Sequence, residues 1–127
     1  MKEYSLIGKR TPRVDSRAKA LGEAKFAMDI YFRDMLHGKV LRSIYPHARI
    51  LRIDAEKARR LPGVKAVITA KDVPAVKYGN WVVDMEIFAR GKVRYIGEPI
   101  VAVAAIDEDT ASDALELIRM RRVHRCL

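Results

Sequence analysis

At 127 residues the chain has the size of one domain, with room for a single hydrophobic core but not for a self-contained multidomain enzyme. Half of it is hydrophobic and 32% charged, which excludes a disordered chain. No apolar run is long enough to span a membrane, and the polar start MKEYSLIGKR lacks the apolar centre of a signal peptide, so a soluble cytoplasmic protein is expected. The formal charge is +9, but Arg119, Arg121, Arg122 and Arg125 crowd into the last nine residues and leave an excess of only five for the rest. Basic and acidic residues interleaved in this way suit a heat-adapted, ion-paired surface, a thermophile trait, better than a polyanion-binding stripe.

In chain order, RVDSRAKALGEAKF opens with Asp15, in position to cap a short helical turn over Ser16 to Leu21, and Gly22 ends it. A strand is expected near Lys25 to Asp29. Two β-prone runs follow, MLHGKVLRSIY and ARILRIDA, and Pro46 in the intervening PHA favours a turn. Asp54 is placed to cap AEKARRL, a helix of about two turns that Pro62 and Gly63 stop. VKAVIT then alternates, with Val64, Ala66 and Ile68 on one face and Lys65, Val67 and Thr69 on the other.

The segment AKDVPAVKYGNWVVDMEIFARG holds Pro74, Gly79, Asn80 and Gly91 and reads as a long irregular excursion with at most one short strand around Trp81 to Val83. It is the expected contact surface, with Tyr78 and Trp81 its candidate interface residues. Ile100 to Ala105 is apolar without alternation, the pattern of a central strand covered on both faces. Asp107 caps the last helix, Glu108 and Asp109 lie at the positive end of its dipole, and Ala111, Ala114, Leu115 and Ile118 form one apolar stripe.

Candidate chemistry is sparse. His37, His47 and His124 stand in no metal-binding spacing, and His124 with Cys126 supplies too few ligands for a tetrahedral zinc site. Cys126 is the only cysteine and forms no internal disulfide. Ser5, Ser16, Ser43 and Ser112 lie in no nucleophile frame, and the glycines fit no phosphate-binding fingerprint. The excursion from Lys77 to Arg90 offers only Asp84 and Glu86 as acid or base. No catalytic, cofactor-binding or metal residue is expected. Glu98, flanked by Gly97 and Pro99, interrupts an apolar run where an unpaired charge is costly. Either it reaches a cofactor or neighbouring domain, or the three residues make a bend with Glu98 solvated or paired with Arg94. Glycine beside proline is first a backbone signal and favours the bend.

Taken together, IGKRTPRVDSRAKALGEAKFAMDI, MLHGKVLRS, PHARI, LPGVKAVITAKDVP and VRYIGEPIVAVAA closely resemble the N-terminal part of the molybdopterin-binding large subunit of the xanthine dehydrogenase and aldehyde oxidase family. The resemblance covers nearly the whole chain to Ile118. It implies an α+β fold, the α/β hammerhead domain, with a mixed β-sheet and two main helices. It also implies an oxidoreductase parent, a molybdenum hydroxylase using molybdopterin-molybdenum, iron–sulfur clusters and often FAD held by other domains or subunits. This chain would then be a non-catalytic structural and assembly domain, inactive alone, whose partners are the molybdenum-binding domains of the large subunit, the iron–sulfur subunit and an FAD subunit. Self-association is expected when it is isolated.

Relatives continue after the last helix with an acidic strand of the form I-x-V-E-Y-E-x-L, whereas this sequence reads IRMRRVHRCL. The hammerhead is therefore expected over 1–118, with 119–127 a basic tail that a reading-frame change accounts for. The alternative, a small basic nucleic-acid-binding protein using that tail, needs basic and aromatic residues gathered on one surface, and aromatics are only 7% of the chain.

Overall fold

The computed structural model describes residues 5–123. The chain forms two compact units, Met1–Arg33 and Asp34–Leu127. The first holds helix α1 (Ser16–Ala20) and a 3₁₀ turn (Ala27–Asp29). α1 falls where expected, but Asp15 does not cap it. Asp15 has near-helical angles, φ −101° and ψ −3°, instead of the extended ones an N-cap needs, and its carboxylate accepts hydrogen bonds from Arg13 and lies 2.6 Å from Lys19 Nζ. The strand expected near Lys25 is replaced by the 3₁₀ turn, because Asp29 Oδ2 accepts the N–H of Phe26 at 2.9 Å and so closes the backbone locally.

The second unit runs β1 (His37–Arg42), β2 (Ala48–Asp54), α2 (Glu56–Arg59), β3 (Val64–Thr69), β4 (Lys77–Tyr78), β5 (Met85–Glu86), β6 (Lys92–Val93), β7 (Pro99–Ala105), α3 (Glu108–Glu116) and β8 (Arg119–Val123). These strands form three sheets, ordered β1-β7-β3, β6-β2-β8 and β4-β5. Every ladder among the described residues is antiparallel, where a mixed sheet is the sequence expectation. The α+β class itself stands.

β7 is the central strand that its continuous apolar run predicts. It pairs with β1 from His37↔Ala105 to Arg42↔Pro99 and with β3 from Val64↔Ala105 to Thr69↔Val101. Ile100, Val101, Val103 and Ala105 are buried, each of the branched residues contributing about 1.5–3 kcal/mol by leaving water. On β3 the alternation works against a simple reading. Val67 is the buried residue while Ile68, on the opposite face, is 37% exposed, and a bulge between Val64 and Ala66 shifts the pairing with β7 at the start of the strand.

Asp107 caps α3 as expected, accepting the N–H of Thr110 at 2.7 Å and its hydroxyl at 2.8 Å. Ala111 and Ala114 are fully buried where α3 packs on β1 and β7. The second main helix is shorter than expected: α2 is one turn whose N-cap is Ala55 in place of Asp54, because the chain leaves β2 one residue later; Asp54 Oδ1 accepts the N–H of Glu56 at 3.2 Å from outside the cap position, and the turn closes at Leu61. Ala58, buried at no cost in side-chain entropy, lets α2 lie close against β3 and α3. Arg119–Val123, the start of the basic tail, pairs with β2 along Arg49–Asp54. His124, Arg125 and Cys126 lie outside the described residues.

Candidate interface site

The two groups of residues singled out in the sequence meet through ion pairs. Gly97 takes φ +91°, a left-handed conformation that a side chain would strain, and this turns the chain into β7. The turn is clamped to the end of β1: the N–H of Gly97 donates to Ser43 O at 2.7 Å, the N–H of Ser43 donates to Glu98 O at 2.9 Å, and Arg42 Nη1 donates to Gly97 O at 2.9 Å. Pro99, which has no N–H to offer a ladder, stands at the first position of β7, where its pairing with Arg42 follows a bulge.

Glu98 is 5% exposed. It is buried rather than solvated, and it is paired. Oε2 accepts the backbone N–H of Arg94, and Oε1 lies 3.6 Å from Arg94 Nη1. The same Arg94 nitrogen is 3.9 Å from Glu86 Oε2, which also accepts the N–H of Arg90 at 3.1 Å. A carboxylate this deep survives only with such partners, and no buried side-chain polar atom among the described residues lacks one. The bend is thus a closed, internally satisfied unit. Its outward neighbours, Tyr95 and Ile96, are exposed apolar residues that sequence reading passed over; an apolar pair inside a glycine–proline turn is the signal that marks them.

Glu86 belongs to β5, so the ion pairs tie this bend to the β4-β5 hairpin. Tyr78 pairs with Met85 and Lys77 with Glu86. The strand expected at Trp81 to Val83 is instead the hairpin connection. Gly79 explains the placement: a Cβ there would meet Val82 O at 1.9 Å, so the chain folds back over this residue before Trp81 can enter a ladder. Trp81 is consequently 98% exposed, with Val82, Val83, Tyr78 and Met85 also open to solvent. In the first unit Phe26, Met28, Ile30, Tyr31 and Phe32 are exposed as well.

His37 and His47 are apart from this surface, and no group of three His, Cys, Asp or Glu side chains is gathered for a metal among the described residues. No helix among them is long and apolar enough to cross a membrane.

Residues 21–122 match the family model described as aldehyde oxidase and xanthine dehydrogenase, a/b hammerhead domain. The chain is 47% identical over 109 residues to a probable xanthine dehydrogenase subunit of Bacillus subtilis (strain 168), covering 85% of this chain and 15% of that protein. It is 42% identical over 118 residues to the nicotinate dehydrogenase large molybdopterin subunit of Eubacterium barkeri, covering 92% and 28%. Among solved structures, the reconstituted CO dehydrogenase from Oligotropha carboxidovorans superposes with a TM-score of 0.82 at 33% identity, over 91% of this chain and 15% of that one. Quinoline 2-oxidoreductase from Pseudomonas putida 86 does so with a TM-score of 0.81 at 30% identity, over 94% and 16%. The chain therefore spans less than a third of the length of these proteins.

Proposed function

Because the chain belongs to the aldehyde oxidase and xanthine dehydrogenase family, as its α/β hammerhead domain, we propose that it serves as a non-catalytic assembly module of a molybdenum hydroxylase large subunit. The observation that carries this reading is the apolar hairpin tip. Trp81 stands almost fully in water, with Val82 and Val83 largely exposed beside it, on a hairpin base tied by ion pairs through Arg94, an arrangement suited to burial against another domain. The bend at Gly97, Glu98 and Pro99 holds that base, and Tyr78 flanks the tip.

In this reading the partners are the molybdenum-binding domains of the large subunit, with the iron–sulfur subunit and an FAD subunit completing the enzyme in the cytoplasm. Molybdopterin-molybdenum, iron–sulfur clusters and FAD belong to those domains, and no chemical step is drawn through this chain. The parent would be an oxidoreductase whose substrate pocket lies outside these residues. The nucleic-acid alternative has no support among the relatives.

The test is complementation. The Bacillus subtilis relative, with its aligned 109 residues removed, is co-expressed with this chain. The two are expected to co-purify, and Trp81→Asp, on a tip that contributes nothing to the core, to reduce recovery at least tenfold while the variant stays folded by circular dichroism. Failure of the unsubstituted chain to co-purify would count against the assembly reading.

A further inference from the structure

One edge of β2 is open. β6 pairs with it only at Ala48 and Arg49, and the N–H of Ile50 donates to Gly91 O at 2.9 Å. From Leu51 to Asp54 no strand covers that edge among the described residues, whereas β8 covers the opposite one. A cleft of about 620 Å³ runs beside this stretch, bounded also by residues 69–71 and 89–91. Its charged lining is Arg52, Arg59, Lys71 and Arg90 against Asp54 and Glu56, an excess of two positive charges. Two of the cations are held in place: Arg59 lies 3.8 Å from Asp72, and Arg90 Nη2 donates to Val73 O at 3.2 Å.

An uncovered strand edge inside a cleft recognises an extended backbone, because only a second strand satisfies its row of N–H and C=O groups. The neighbouring cations then select the side chains, favouring carboxylates through charge-assisted hydrogen bonds. A small free anion would use the cations and leave the edge unpaired. The open stretch is four residues, about 13 Å of strand, which suits a short segment rather than a folded face.

We propose that this cleft receives an extended, acidic segment from the remainder of the large subunit, which adds to β2 as a strand at Leu51–Asp54 with its carboxylates toward Arg52, Lys71 and Arg90. The proposal rests on the assembly reading for the source of the segment. The relatives supply ample chain for it, since this domain spans 15% and 28% of two of them.

The experiment uses this chain with a synthetic peptide alternating glutamate and valine, and a counterpart with lysine for glutamate. Binding is read by fluorescence anisotropy and by backbone hydrogen exchange. The acidic peptide is expected to bind and to slow exchange of amides within residues 51–54 at least tenfold, and the lysine peptide to do neither. The double variant Arg52→Glu with Lys71→Glu should weaken binding at least tenfold while the chain stays folded, its thermal midpoint rising slightly because Glu at position 52 would face Arg121 in place of a like charge; Arg90→Gln provides a milder second variant if the double one misfolds. Binding without protection of residues 51–54, equal binding of the lysine peptide, or the same protection from inorganic sulfate alone would overturn the proposal. The two readings separate in the co-expression assay. If the unsubstituted chain co-purifies and the charge-reversed one does so equally well, the cleft assignment fails and assembly stands; if neither co-purifies, assembly fails while the peptide result still decides the cleft.

Discussion

Glu98 shows how one residue's meaning depends on its partners. A carboxylate inside the run leading to β7 is costly to bury alone, and the protein offsets that cost with the Arg94 backbone and guanidinium. Arg94 is itself partly in solvent, so the pair is less demanding than a fully buried one. Glu98→Gln keeps the shape and removes the charge, and is expected to destabilise by about 1–3 kcal/mol in chemical denaturation; an unchanged midpoint would show that the charge is not needed. Asp107 gives a pH signature. The N–H of Thr110, then its hydroxyl, hold the Asp107 carboxyl below the usual carboxylate value, with burial opposing weakly. Its folded-state pKa is depressed, so its contribution is complete above the unfolded value and is lost as pH falls through the folded one. Asp72, held low by the Thr69 hydroxyl and N–H, acts in the same direction. Thermal stability should therefore decline in acid below about pH 4. Asp107→Asn retains a capping acceptor without a titrating group and should make that decline shallower; an identical slope would exclude Asp107 as a contributor.

At the level of elements, the β2-β8 ladder carries a mismatch that the register exposes. Arg52 faces Arg121 directly, and Arg49 faces Val123. Like charges opposite one another weaken a strand pair, and the acidic strand of the resembling family would place glutamates at these two positions. Arg122 is accommodated differently, with its guanidinium 4.0 Å from the centroid of the Tyr45 ring and donating to the Tyr45 hydroxyl. Arg121→Glu is expected to stabilise the chain by about 0.2–1 kcal/mol, less at high salt, as a cross-strand ion pair replaces a repulsion. A destabilising or salt-independent effect would mean that the two side chains do not face each other in solution. The mismatch also bears on the family pattern: β2 is charge-matched to an acidic neighbour, and the basic tail supplies its backbone pairing without its charges.

For the molecule as a whole, the core is small and the apolar exterior extensive. The fully buried large side chains are Ile100, Val93, Val101 and Val103, while Trp81, Tyr31, Phe32 and Met28 lie in water. A domain shaped to sit inside a larger subunit has this character, because surfaces meant for contact need not be polar. The isolated chain is expected to self-associate in a concentration-dependent way through these apolar contacts. Trp81→Asp should shift it toward monomer in sedimentation, and a strictly monomeric unsubstituted chain would contradict the exposed-interface reading.

Local chemistry was enough to place β7, α3 with its Asp107 cap, α1, and β1 and β2, because continuous apolar runs, capping residues and proline act over a few neighbouring residues. The ordered motifs also pointed to the family and to the Gly97–Pro99 bend. The three-sheet antiparallel arrangement and the choice of Val67 over Ile68 as the buried residue of β3 depended on pairing between distant segments, and the hairpin that lifts Trp81 into solvent on atoms too close for a side chain at Gly79, whereas the turn at Asp29 is a local contact whose side-chain partner the β-prone reading did not weigh. The pairing of Glu98 with Arg94 was one of the two alternatives the sequence offered, but its burial, the link through Arg94 to Glu86 and the open edge of β2 came only from the fold. Local sequence specifies where a backbone can bend and which residues avoid water; only the assembled register decides which charges face each other and which strand edge is left to pair.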